Sequence, residues 1–292
     1  MFEGGTEWAF RQKGRMLPSM RFPFAALLAM SLLAGNPPEW SKPVAPFHIA
    51  GPVFSVGTLD LGCYLIKGTE GDILVNTGLE DSPPLISAAL GQLGVNPKDI
   101  RVLLTNQAHF DHVGGFAGMQ KITGAKIWAT AGDAPLLETG GAADPGGLGR
   151  FTPVKVDRVL KDGEAIAFGG IHLKVISTPG HTPGSASYVL TFHEGGKDQT
   201  MLFANLPTVV MPLQNPKYPG IVADLRMSFA RLKALRPGLW VAAHASQCDL
   251  EEKVKSGRFE DAAGYDEALA DCEGAFNAKV AKELKPVQSP VK

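Results

Sequence analysis

Four histidines and an aspartate stand in three short segments whose residue types suit a bound metal ion. The densest segment is Gln107-Ala108-His109-Phe110-Asp111-His112, with two imidazoles and a carboxylate within four residues. Such nitrogen and oxygen donors form a borderline-soft set that zinc accepts at about 2.0–2.2 Å. The second segment is Thr178-Pro179-Gly180-His181-Thr182-Pro183-Gly184. Its Pro-Gly punctuation fixes a loop around one histidine, which is thereby presented for binding rather than packed in a core. The third is Ala243-His244-Ala245-Ser246, at the end of an apolar run. The other three histidines, His48, His172 and His193, have no metal-type neighbours and are expected at the surface or in ordinary hydrogen bonds.

Each segment needs a strand to deliver it. Residues 53–58, 61–67 and 72–76 are rich in β-branched and apolar side chains separated by turn material, and 100–105 forms a buried strand that runs into the His-x-Asp-His loop. Helices are expected over 84–93, with Ser82 as N-cap and Gly94 as the stop, near 115–122, and over 134–138. A strand is expected at 126–129. The stretch 140–150 holds five glycines and a proline and reads as a flap. A second strand series follows at 154–160, 165–168, 171–177, 185–192, 201–204 and 239–243, with helical apolar spacing over 227–235 and 265–284. The pattern predicts an α/β chain, two sheet-rich halves with helices outside, packed as one αβ/βα four-layer sandwich. All three ligand-bearing segments then sit at strand ends, where loops on a rigid scaffold converge.

Composition sets limits on partners and location. The 292 residues are 45% hydrophobic with 34 glycines, enough for a substantial core. A net charge of −1 gives no electrostatic reason to expect nucleic acid or an anionic membrane surface. Lys13, Arg15 and Arg21 precede an apolar run over 22–34, after which Gly35, Asn36, Pro37 and Pro38 break any helix. Thirteen residues fall short of a bilayer span, so residues 1–35 read as an export signal, with Met20 an alternative start. No cysteine follows the run to carry a lipid anchor. Residues 36–292 would then be one periplasmic or secreted domain, expected as a monomer. Cys63 lies in an apolar stretch as a small core residue.

The His-x-Asp-His core and the two later histidines resemble the metallo-β-lactamase superfamily. The segment from Val156 to Gly163 followed by Ser177-Thr178-Pro179-Gly180-His181-Thr182-Pro183-Gly184-Ser185 resembles the third subclass of class B β-lactamases. The resemblance implies a first zinc held by Gln107, His109 and His181, and a second held by Asp111, His112 and His244. It also implies a disulfide between Cys248 and Cys272. Gln107 stands where most relatives carry a histidine. An amide oxygen is a poorer zinc ligand than imidazole, so one or two zincs per chain are expected, the first site weaker.

With those ligands, zinc makes hydroxide available at neutral pH and Asp111 orients it, so the implied activity is hydrolysis of the β-lactam amide bond and antibiotic resistance. Two departures bear on alternatives. Leu206, in Phe203-Ala204-Asn205-Leu206-Pro207, replaces a substrate-orienting serine of the family. Asn205 stands near the place where lactonases, glyoxalase-II-like thioesterases and phosphodiesterases of the same fold carry a bridging aspartate. Those hydrolases, and a zinc-binding module without activity, are the competing readings.

Overall fold

The strands form two sheets. In a computed structural model that describes residues 35–284, the first sheet contains β1 (Phe47–Ala50), β2 (Val53–Ser55), β3 (Tyr64–Ile66), β4 (Asp72–Val75), β5 (Ile100–Leu104), β6 (Lys126–Thr130) and β7 (Arg158–Leu160), in that order. Pairing is antiparallel from β1 to β4 and parallel from β4 to β7. The parallel half requires crossovers, supplied by α1 (Pro83–Gln92), by α2 (Phe110–Val113) with α3 (Phe116–Thr123), and by α4 (Ala134–Glu138). The second sheet runs β12-β11-β10-β9-β8, from β8 (Ala165–Phe168), β9 (Ile171–Ser177), β10 (Ala186–Glu194), β11 (Lys197–Ala204) and β12 (Leu239–Ala242). Only β11 and β12 are parallel, joined through α5 (Ile221–Leu235). Then follow α6 (Leu250–Ser256) and α7 (Ala262–Glu283).

Strand alternation divides the interior into two cores. Tyr64, Ile66, Ile73, Val75, Val102 and Leu104 point towards the second sheet, while the intervening Leu65, Leu74 and Leu103 pack with Ile86 and Leu90 of α1 and Phe116 and Met119 of α3. The second sheet is covered on its other face by Leu225, Phe229 and Leu232 of α5 and by Tyr265, Leu269 and Phe276 of α7. The αβ/βα sandwich expected from the sequence is therefore present. Polar bonds also cross it, among them those from the buried Tyr64 hydroxyl to the Ala242 carbonyl and from the buried Tyr188 hydroxyl to the Thr105 carbonyl, both at 2.7 Å.

Several details differ from expectation. The strand expected over 154–160 is paired only at Arg158–Leu160, because Val154 N–H instead bonds the Leu137 carbonyl of α4. The β10–β11 hairpin is longer than expected, extending polar residues past the core to the Gly195-Gly196 turn. Ser82 does not cap α1; its Oγ accepts from the Leu79 N–H at 2.9 Å, closing the preceding turn. The expected Cys248–Cys272 disulfide is not formed. Cys248 is buried in a 3-10 turn with its thiol directed at the Ala245 carbonyl, 3.5 Å away, and Cys272 sits half-buried on α7, both as free thiols, as is Cys63. The expected export signal lies outside the described residues. Among the described residues no helix is long and apolar enough to cross a membrane.

Candidate metal centre

The ligand-type residues sit at strand ends, as expected, and those strands belong to both sheets. β5 ends at Leu104 and the chain turns through Thr105 and Asn106 into the Gln107–His112 segment, where the single turn α2 starts as His112 and Val113 N–H groups bond the His109 carbonyl. β9 ends at Ser177 and leads to His181 through Gly180, at φ +130°, where a Cβ would lie 2.5 Å from Leu225 of α5. That position accepts only glycine. β12 ends at Ala242, and His244 follows in extended backbone, bridged to Leu61.

Two clusters result. The Nδ1 of His109 faces Nε2 of His181 at 3.0 Å. Asp111 Oδ2 lies 3.1 Å from His112 Nε2 and 3.4 Å from His244 Nε2. Donor atoms of Asp111, His112 and His244 fall within 4.8 Å of one another, as ligands of one ion must. Gln107 is buried beside these residues on the same loop, and its Oε1 has no hydrogen-bond partner. Nδ1 of His112 and Nε2 of His109 are likewise buried without one. A buried polar atom left unpaired costs about 1–3 kcal/mol, so this many in one place fit an acceptor of electron pairs between them.

Charge states agree with that use. Burial lowers the pKa of His112 against the pull of Asp111, and lowers that of His181, which His109 also faces, so both imidazoles keep a lone pair at neutral pH. Burial alone would raise Asp111, but the charges and hydrogen bonds of His112 and His244 hold it well below the usual carboxylate range. Burial opposes protonation of His244, yet its hydrogen bonds to Asp111 and Asp60 outweigh this and raise it to about 9.

Residues beyond the expected set orient the rings. His244 Nδ1 donates to Asp60 Oδ2 at 3.0 Å, leaving Nε2 turned to Asp111. His181 Nδ1 lies 3.0 Å from the Thr208 carbonyl and 2.8 Å from its hydroxyl, leaving Nε2 turned to His109. Asp133, the residue before α4, accepts from Ala108 N–H at 2.8 Å and Gly184 N–H at 2.9 Å and so ties the loops of His109 and His181 together. Burial raises Asp133 to about 6. Sequence reading passed over these residues because each is an isolated turn-type side chain whose partner is remote in the chain.

The remaining positions fall into place. His48 and His193 bond to Gly51 O and Asp198, and His172 is exposed on β9, as expected of residues outside the site. Leu206 is 3% exposed and belongs to the inter-sheet core, so apolar packing occupies that position. Asn205 is buried, its N–H bonded to Ser187 and its side-chain nitrogen unpartnered.

A metallo-β-lactamase superfamily model matches residues 62–193. The structure superposes on the metallo-β-lactamase GOB-18 from Elizabethkingia meningoseptica with a TM-score of 0.81 and 39% identity, over 84% of this chain and 96% of that one. The chain belongs to the metallo-β-lactamase superfamily. Within it, the class B3 di-zinc metallo-β-lactamase LRA-12 from an Alaskan soil metagenome is similar at 38% identity and a TM-score of 0.80, over 84% and 97% of the two chains. A hydroxyacylglutathione hydrolase of Jannaschia sp. is 30% identical over 163 residues, 56% of this chain and 53% of that protein. The chain thus matches only about half the length of this relative.

Proposed function

We propose that this protein hydrolyses the amide bond of β-lactam rings with zinc at two positions, the first held by Gln107, His109 and His181 and the second by Asp111, His112 and His244. The observation that carries the substrate is the extent of likeness. A metallo-β-lactamase is matched over 96% of its length at 39% identity, whereas the hydroxyacylglutathione hydrolase is matched over 53% at 30% identity. Asn205 supports the same choice, since a neutral amide cannot act as an anionic bridge between two cations.

When bound, zinc supplies a water whose pKa falls from 15.7 towards about 7 and a Lewis acid for the carbonyl oxygen. The chain supplies the rest. Asp111, ionised and buried, turns Oδ2 to His112 and His244, and its Oδ1 would accept a hydrogen bond from the attacking water and aim it at the carbonyl carbon, the water's proton passing to the ring nitrogen as the C–N bond breaks. Asp60 and Thr208 keep His244 and His181 in the tautomers that present Nε2 inwards. Asp133 holds the loops of His109 and His181 at fixed separation. An export signal before Asn36 and a periplasmic or secreted location belong to the same reading, because the β-lactam targets lie outside the cytoplasm.

The test is turnover of a penicillin, a cephalosporin, a carbapenem and a glutathione thioester, with chelator, without it, and after zinc is restored. Lactam opening that disappears with chelator and returns with zinc is expected. Thioester cleavage without lactam opening would transfer the chain to the thioesterases, and no turnover despite bound zinc would make it a binding module.

Gln107 bears on stoichiometry. With a neutral amide beside two imidazoles, the first position should fill after the second, which has two imidazoles and an anion. Under buffered limiting zinc, wild type is expected near one metal per chain, and Gln107→His nearer two. Equal affinity of the two positions in wild type would refute this ordering.

A further inference from the structure

The flap over residues 140–150 contains no regular element, yet one of its side chains is driven inwards. The Asp144 side chain is 1% exposed. Its oxygens accept from the N–H groups of Gly146 at 3.2 Å and Leu148 at 2.7 Å, which shape the flap around it. Oδ1 also lies 3.7 Å from Nε2 of His109, a buried nitrogen with no hydrogen-bond partner. Since Nδ1 of His109 faces His181, Nε2 is the nitrogen left to carry a proton, and Asp144 is the carboxylate beside it. A displacement on the order of an ångström would make the bond.

A second contact points the same way. Asn215 Nδ2 donates to the Pro145 carbonyl at 2.9 Å, docking the flap onto the segment that also carries Thr208, the partner of His181. Both imidazoles of the first position are therefore backed by the flap or by its anchor. The second position is built otherwise. Its outer carboxylate, Asp60, already bonds His244, is held by Ser246 N–H at 2.9 Å and the Trp40 indole at 3.1 Å, and lies in the tight Thr58–Leu61 turn.

We infer that Asp144 is the positioning residue of the first metal position, accepting the Nε2–H of His109, so that docking of the flap and metal binding at that position strengthen one another. The inference rests on His109 and His181 as ligands under the proposed function. An acceptor on the outer nitrogen fixes the tautomer with the Nδ1 lone pair inwards and raises its basicity. By linkage, an ion at the first position must hold the flap as strongly as the flap favours the ion. The second position has no such dependence.

The experiment titrates cobalt(II) into wild type, Asp144→Asn and Asp60→Asn, following ligand-field spectra, exchangeable imidazole N–H signals shifted by the paramagnetic ion, and amide hydrogen exchange of the flap. Asp144→Asn is expected to weaken the first position about 10–100-fold with the second unchanged, and to speed exchange of the His109 N–H alone. Asp60→Asn should do the converse. In wild type, filling the first position should slow exchange at Gly146 and Leu148, and Asp144→Asn should abolish that gain. Asn215→Ala, which frees the flap without touching His109, should weaken the same position by a smaller factor and gives the same reading if Asp144→Asn does not fold. Equal weakening of both positions, unchanged affinity, or flap exchange indifferent to metal would overturn the inference while leaving the zinc assignment intact. Failure of wild type to bind cobalt through His109 and His181 would overturn both.

Discussion

His112→Ala and His244→Ala are each expected to lower β-lactam turnover at limiting zinc by more than about 100-fold. Outer partners of metal ligands alone are worth 10–100-fold, so loss of a ligand must exceed that. His112 is fully buried, with Nε2 3.1 Å from Asp111, and its removal leaves that carboxylate with one imidazole. Removing His244 also strands Asp60, whose pKa is held low mainly through that ring. Metal content measured with turnover should fall in parallel. His172→Ala, on an exposed position of β9, should leave both unchanged. Wild-type turnover in either site variant under the same zinc buffering would show the ligand assignment to be wrong.

The second large effect is on stability. Asn76→Ala is expected to destabilise the fold by about 3–5 kcal/mol, a large share of the roughly 5–15 kcal/mol of an ordinary domain. Asn76 ends β4 at φ +61°, a conformation costing an alanine about 1–2 kcal/mol that asparagine tolerates better. Its Oδ1 accepts from Thr105 Oγ1 at 3.0 Å and Asn106 N–H at 3.1 Å, and its Nδ2 donates to Gly62 O and to Asn106 Oδ1, both at 3.2 Å. Asn106 in turn donates to Ala186 O and Phe203 O in the second sheet. Truncation leaves several of these buried groups unpaired directly beneath the ligand loop. Denaturant unfolding of metal-free protein measures the loss, and a change under about 1 kcal/mol would mean that the network does not hold the two sheets in place.

What was legible in the sequence is what is local. His109, Asp111 and His112 share one turn, and His181 is framed by its own Pro-Gly pairs, so residue type and spacing were enough to mark them. Strand and helix positions followed from apolar periodicity, and the four-layer sandwich from their order. What escaped is long-range. Asp60 meets His244 across 184 positions, and Asp144 meets His109 across 35; alone, one reads as turn material and the other as part of a glycine-rich loop. Strand β1 escaped because half of its four residues are not buried and carry little alternation, and α6 because it is short and charged. Register along the chain carries no trace of which sheet a loop will meet.

The convergence of ligand residues from both sheets has a consequence for the life of the protein. On the proposed assignment each zinc takes two ligands from the loop after β5 in one sheet and one from the other sheet, His181 after β9 or His244 after β12. Each ion is then a rivet through the sandwich. An ion at 100 times its dissociation constant adds about 2.7 kcal/mol to the folded state, and two such ions add twice that. Where free zinc is scarce the chain loses the rivets before it loses its substrate, and its survival against proteases should track the zinc supply more closely than it tracks the antibiotic.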